Sequence, residues 1–186
     1  FNVNYKNDKS PVTEAEEAAE KIILRDLHKI TPDIPIIAEE QANAGDIPDV
    51  GDIFWLVDPL DGTKEFIRKG TDFTVNIALI ENGSPTFGIV YAPALQRLFV
   101  AKSPKNAVQM DVREGKYIGK EIPITVRPVP QSGAVAVASK SHRDADTDAF
   151  LEKHGLSNIT SIGSSLKFCL VATGESALYP RFRPTI

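Results

Sequence analysis

The chain has 186 residues, enough for one large domain or two small ones, and folding at this size buries about 70% of the unfolded chain's surface. Its 42% hydrophobic and 25% charged composition is that of an ordinary globular protein and excludes disordered, collagenous and low-complexity classes. The formal charge of -4, with no dense Lys/Arg stripe, argues against duplex nucleic acid as a partner while leaving room for small anions, and no apolar run approaches the roughly 18 residues of a membrane span.

Thr13 opens a segment in which Ala15, Ala18, Ala19, Ile22, Ile23 and Leu27 recur at helical spacing, with Glu16 completing a candidate capping box; the pattern predicts a helix over about 13–29. A short apolar run, Ile34 to Ala38, ends in Glu39 and Glu40. After a polar loop, Ile53 to Val57 reads as a buried strand ending at Asp58. Both predicted strands therefore end in carboxylates. From Phe73 to Lys102 apolar residues alternate about the dipeptide Asn82-Gly83, the strongest hairpin signal in the chain. Arg97 to Ala101 and two weaker strands around Glu114-Gly115 extend this half into a largely antiparallel meander. Pro123, Pro128, Pro130 and Gly133 mark a boundary. Beyond it come a strand (Ala134 to Ala138), a helix (about 145–154), a strand (Ile159 to Ile162), a helix opening at Ser164 or Ser165, and a strand near Leu178. That alternation predicts parallel pairing.

A single cysteine, Cys169, excludes an intramolecular disulfide and a cysteine-based zinc cluster, and its apolar neighbours Phe168 and Leu170 predict burial over catalysis. With no signal-peptide pattern, a reducing cytoplasm is the expected compartment. The start at Phe1 and the stop at Ile186 read as cut ends. His28 and His154 read as helix-surface residues.

The densest chemistry is Asp58-Pro59-Leu60-Asp61-Gly62-Thr63-Lys64-Glu65, expected where a strand gives way to a helix. Two carboxylates about a proline can aim oxygens at one point, with the Leu60 carbonyl beside them, and oxygen-only donors suit Mg2+. Gly62 and Thr63 would open the helix, where free N–H groups favour a phosphate oxygen. The alternative is structural: Asp58 closes a turn, Asp61 caps a helix and Gly62 relieves strain. An aspartyl-phosphate reading requires Asp-x-Asp-Gly-Thr, and Asp58 lies one residue too far from Asp61 for it.

These residues, with Ala38-Glu39-Glu40 before them, resemble the inositol-monophosphatase superfamily of magnesium-dependent phosphatases. Ser10-Pro11-Val12-Thr13, Trp55-Leu56-Val57, Lys64-Glu65-Phe66, Phe73-Thr74-Val75-Asn76-Ile77-Ala78-Leu79-Ile80, Gly163-Ser164-Ser165-Leu166-Lys167-Phe168-Cys169 and Leu178-Tyr179-Pro180-Arg181-Phe182 are similar to its CysQ-type 3'(2'),5'-bisphosphate nucleotidases. The resemblance implies an α/β, mixed α+β fold, a layered αβαβα sandwich of the sugar-phosphatase type. A metal-binding half would span 1–130, and a truncated nucleotide-binding half 131–186. It implies Glu39, Asp58, the Leu60 carbonyl and Asp61 as metal ligands, and Thr63, Glu16 and Glu39 as catalytic groups around an activated water. Gly62, Thr63 and Lys64 would meet the phosphate. Ser141, His142, Arg143, Ser164, Ser165 and Lys167 would meet the nucleotide, although Ser164 reads equally as a helix cap and His142 and Arg143 as solvated surface residues.

In three places the chain departs from the family pattern. Glu16 stands where relatives generally carry Asp, one methylene shorter, and Arg183 stands where they tend to carry Gly. A further metal-binding Asp belongs to a Trp-Asp motif expected after Ile186, so the two or three Mg2+ ions of an intact enzyme meet an incomplete ligand set here. The implied activity is hydrolysis of the 3'-phosphate of 3'-phosphoadenosine 5'-phosphate to AMP, which relieves product inhibition in sulfate assimilation. The competing expectations are an inositol or sugar phosphate phosphatase, and a nucleotide-binding module without turnover. The expected partner is a small-molecule bisphosphate nucleotide. Oligomeric state, and any peripheral association at the cytoplasmic face of the inner membrane, are left open.

Overall fold

In the computed structural model, residues 3–5, 11–128 and 133–182 are described, the first three and 11–13 by backbone alone. Ser10, Pro130 and Arg183 lie outside them. Helix α1 (Glu14–Ile30) carries Glu14, Glu16 and Glu17 in its first turn and His28 and Lys29 in its last, matching the helix dipole. It follows a short antiparallel pair, β1 (Val3–Tyr5) and β2 (Pro11–Thr13). Strands β3 (Ile36–Ala38) and β4 (Ile53–Asp61) flank the short helix α2 (Glu39–Asn43), and helix α3 (Thr63–Ile67) follows β4. Next come β5 (Thr74–Glu81), β6 (Ser84–Ala92), β7 (Arg97–Ser103), β8 (Asn106–Arg113) and β9 (Lys116–Pro123). The remainder is β10 (Ala136–Ser139), α4 (Ala145–Lys153), β11 (Ile159–Ile162) and α5 (Leu166–Ala172).

Strands β3 to β9 form one seven-stranded sheet in chain order, parallel only between β3 and β4. The expected meander is present, and Asn82 and Gly83 both adopt positive φ, 51° and 73°, as a two-residue hairpin turn needs. One face buries Trp55 and Val57 against Leu27 of α1, with Ile23 and Leu24 packed alongside. The C-terminal end of α1 is pinned there: the Trp55 indole donates to Thr31 Oγ1 at 3.0 Å, and Thr31 donates to the Leu27 carbonyl. On the other face Leu166 and Cys169 of α5 pack against Ala92 and Phe99.

Strands β10 and β11 pair in parallel as expected, and Leu178 joins β10 through a single parallel bridge. Helix α5 contacts both β6 and β10, so it fills the space between the two sheets. The layers thus run α1, large sheet, α5, small sheet. The large sheet ends at Pro123 and the small one begins at Ala136, and the expected division at 130 lies outside the described residues. No helix among the described residues is long and apolar enough to cross a membrane.

Two boundaries differ from the sequence expectation. Pairing in β3 begins at Ile36, after Pro35, so Ile34 stays outside the ladder. Strand β4 does not stop at Asp58: pairing resumes at Asp61 opposite Thr74, with an irregularity between the two aspartates. Pro59 has no N–H to pair, and this break in the ladder absorbs Pro59 and Leu60 while keeping both buried.

Candidate active site

Parallel register brings the first two carboxylates together. Ala38 pairs with Val57, so Glu39, where the chain leaves β3 for α2, comes beside Asp58, which stays in β4 opposite Asn76. Their carboxyls share a hydrogen bond. Burial, then the charges of Glu39 and Asp61, push the Asp58 carboxyl up to about 8, against a lowering hydrogen bond from Asn76. Asp58 Oδ1 also accepts from the Leu60 N–H at 3.0 Å. Burial raises the pKa of Asp61, and the Lys167 charge and the Ser165 N–H oppose the shift.

Glu39 is held by a residue that the sequence reading passed over. Glu20, buried on α1, accepts from the N–H groups of Glu40 (2.8 Å) and Gln41 (3.1 Å). Ala38, the N-cap of α2, has no side chain able to cap it, so Glu20 supplies the acceptors from another helix.

One turn earlier on α1, Glu16 is 1% exposed and accepts from Thr63 Oγ1 at 2.6 Å. The extra methylene relative to Asp is accommodated and the partnership with Thr63 is made. Thr63 begins α3, after Gly62 at φ 96°. A Cβ on Gly62 would sit 2.8 Å from the Asp72 carbonyl and 3.3 Å from Ser164 Cβ, so only glycine fits between the strand end and the α5 loop. Helix α3 is little more than one turn, so its dipole contributes less than the sequence pattern suggests.

The remaining predicted residues divide. Lys64, Lys167 and Arg181 all act electrostatically on His142, whose pKa is lowered first by burial and then by those charges. His142 thus faces a basic rim, and Arg181 joins it without having been singled out in the sequence. Lys167 is buried, donates to the Ser164 carbonyl and lies 5.7 Å from the Tyr179 ring centre. Ser141 Oγ donates to Glu65 at 3.4 Å, and Arg143 pairs with Asp148 at the start of α4. Ser164 sits at φ 50°, and the Ser165 hydroxyl bonds Asn76 and Thr74. Glu65, buried, binds Lys140 at 2.8 Å, and Lys140 reaches Asp72 at 3.2 Å, tying α3 to the end of β10.

A cavity of about 580 Å³ lies between the large sheet and α5, with Glu39, Asp58, Asn76 and Ser165 among its lining residues. A larger groove, about 880 Å³, lies at the C-terminal end of α1 and is lined by none of these groups. Cys169 is buried with its thiol pushed up to about 12 by burial, so it is no nucleophile.

The donor chemistry fits a hard divalent cation: every candidate ligand is an oxygen, and a cation would offset both the burial that raises Asp58 and the neighbouring charges that add to it. Among the described residues no group of three His, Cys, Asp or Glu side chains is placed to hold a metal ion. The protein's contribution is therefore the Glu39–Asp58 pair, with the Leu60 carbonyl and Asp61 following on β4.

A profile described as the inositol monophosphatase family matches residues 1–186. The chain belongs to the inositol monophosphatase family. The family member of Salmonella typhimurium strain LT2 named 3'(2'),5'-bisphosphate nucleotidase CysQ is 47% identical over 180 residues, covering 97% of this chain and 70% of that protein. The crystal structure of CysQ from Bacteroides thetaiotaomicron superposes with a TM-score of 0.74 at 35% identity, over 96% of this chain and 70% of that one. A Thermotoga maritima IMPase superposes at 0.73 and 29% identity over 95% of this chain, which spans 65% of its length. The mixed sheet flanked by helices is thus the inositol monophosphatase-family fold.

Proposed function

We propose that this chain carries the catalytic groups of a Mg2+-dependent 3'(2'),5'-bisphosphate nucleotidase, which hydrolyses the 3'-phosphate of 3'-phosphoadenosine 5'-phosphate to AMP and phosphate. The carrying observation is the juxtaposition of two devices: the crowded carboxylates of Glu39, Asp58 and Asp61, and the buried Glu16–Thr63 hydrogen bond. Family membership and the nucleotidase name of the Salmonella relative support the substrate class.

Glu39, Asp58, Asp61 and the Leu60 carbonyl would hold Mg2+. Bound there, Mg2+ supplies Lewis-acid neutralisation of phosphate charge and lowers the pKa of an attacking water. The chain's own groups do the rest. Thr63 gives its hydroxyl proton to Glu16, which leaves an oxygen lone pair free to accept a proton from water; Glu16 is the final acceptor. The Gly62 N–H would meet a phosphoryl oxygen, and Lys64, Lys167 and Arg181, whose charges act together on His142, would favour a doubly phosphorylated ligand beside it. Ser141, Arg143 and Ser164 would line the nucleotide.

The test is phosphate release with Mg2+ from 3'-phosphoadenosine 5'-phosphate and from inositol 1-phosphate. Faster turnover of the nucleotide is expected. Preference for inositol 1-phosphate would move the assignment to an inositol phosphate phosphatase, and tight nucleotide binding without release would make the chain a binding module.

A further inference from the structure

Asn76 stands where polar groups of the large sheet and of α5 meet. It is the cross-strand partner of Asp58, and its amide Nδ2 donates to Asp58 Oδ2 at 3.2 Å. Its Oδ1 accepts from Ser165 Oγ at 2.7 Å. Because Ser165 gives its proton to Asn76, its oxygen, 2.8 Å from Thr74 Oγ1, accepts the Thr74 proton. The bonds therefore run in one direction, from fully buried Thr74 through Ser165 and Asn76 to the Asp58 carboxylate.

That direction has a chemical consequence. An amide is nearly symmetric in shape, and only its hydrogen-bond partners decide which end faces a carboxylate. The Ser165 donor fixes the oxygen on its own side and so turns the NH2 toward Asp58, on which the charges of Glu39 and Asp61 act. The amide holds these like charges in place without any positive charge of its own, which a lysine there would set against an incoming cation.

We propose that Asn76 is a positioning residue for the cation-holding carboxylates, and that Ser165 acts on the site through Asn76 and not by touching the nucleotide. The proposal rests on reading the acidic cluster as a cation site. It reassigns Ser165, which the family resemblance places against substrate.

The test is calorimetric titration of Mn2+ into the native chain, Asn76→Ala, Ser165→Ala and the double variant, with urea unfolding of each to confirm the fold. Asn76→Ala is expected to weaken Mn2+ binding about fivefold or more, and Ser165→Ala about threefold, as for coupled neighbours. The double variant is expected to match Asn76→Ala alone, because the serine hydroxyl reaches the carboxylates only through Asn76, while the Ser165 N–H on Asp61 is kept in every variant. Ser165→Ala should leave KM for the nucleotide unchanged at saturating Mg2+, and this variant keeps the test decisive should Asn76→Ala not fold. Native-like Mn2+ affinity in both single variants would overturn the proposal while leaving the cation site standing. A raised KM with unchanged Mn2+ affinity in Ser165→Ala would return that residue to the substrate. No Mn2+ binding by the native chain would overturn both the proposal and the reading beneath it.

Discussion

Glu16 and Glu20 lie one helical turn apart on α1, both buried, and perform different tasks with the same side chain. Glu16 takes the proton end of the Thr63 hydrogen bond, so Glu16→Gln, which keeps shape and removes the acceptor charge, is expected to lower kcat by about 10²–10⁴-fold with little change in unfolding free energy. Glu20 caps α2 from a distance. Glu20→Ala leaves two N–H groups without their acceptor and is expected to cost about 1–3 kcal/mol in urea unfolding. Gly62→Ala meets both a positive φ and the Asp72 carbonyl, and a loss of about 1–3 kcal/mol is expected by the same measurement. That Glu39 and Asp58 come together was legible in the sequence, because both predicted strands end in carboxylates. Glu20 and Asn76 were not, since one looks like an ordinary helix glutamate and the other like an alternating strand residue. Their importance arises only from register and from contacts between elements.

At the scale of elements, periodicity located α1, the Asn82–Gly83 hairpin and the parallel β10–β11 pair, where patterning and turn chemistry agree. It misjudged β4, because Asp58-Pro59-Leu60-Asp61 reads locally as a turn while Thr74 and Asn76 on β5 keep the strand in the sheet. Helix α5 supplies a test of packing. The buried Cys169 thiol has its pKa raised from an ordinary value near 9 to about 12. The folded state then holds a proton that the unfolded state releases, so stability is full below about pH 9 and declines as pH rises toward 12. Comparing urea midpoints of the native chain and Cys169→Ala between pH 7 and 11 checks this. The native chain is expected to lose stability more steeply than the variant on the alkaline side, and parallel curves would contradict the assignment.

At the scale of the whole molecule, the site is assembled at the meeting of α1, the large sheet and α5. Glu39 follows β3, Asp58 and Asp61 lie on β4, Glu16 on α1 accepts from Thr63, and the Ser165 N–H on Asp61 comes from the start of α5. The family resemblance implied a helical layer between two sheets, while periodicity alone did not say that α5 supplies it, because a seven-residue apolar helix carries no record of which two surfaces it touches. Crystals of the chain soaked in Mn2+ and measured by anomalous scattering test the central claim most directly. The account predicts a peak bridging the Glu39 and Asp58 carboxylates, at oxygen distances near those of a hard divalent ion, about 2.0–2.3 Å. A fully loaded crystal whose peaks all lie elsewhere, with Glu39 and Asp58 still sharing their hydrogen bond, would contradict it.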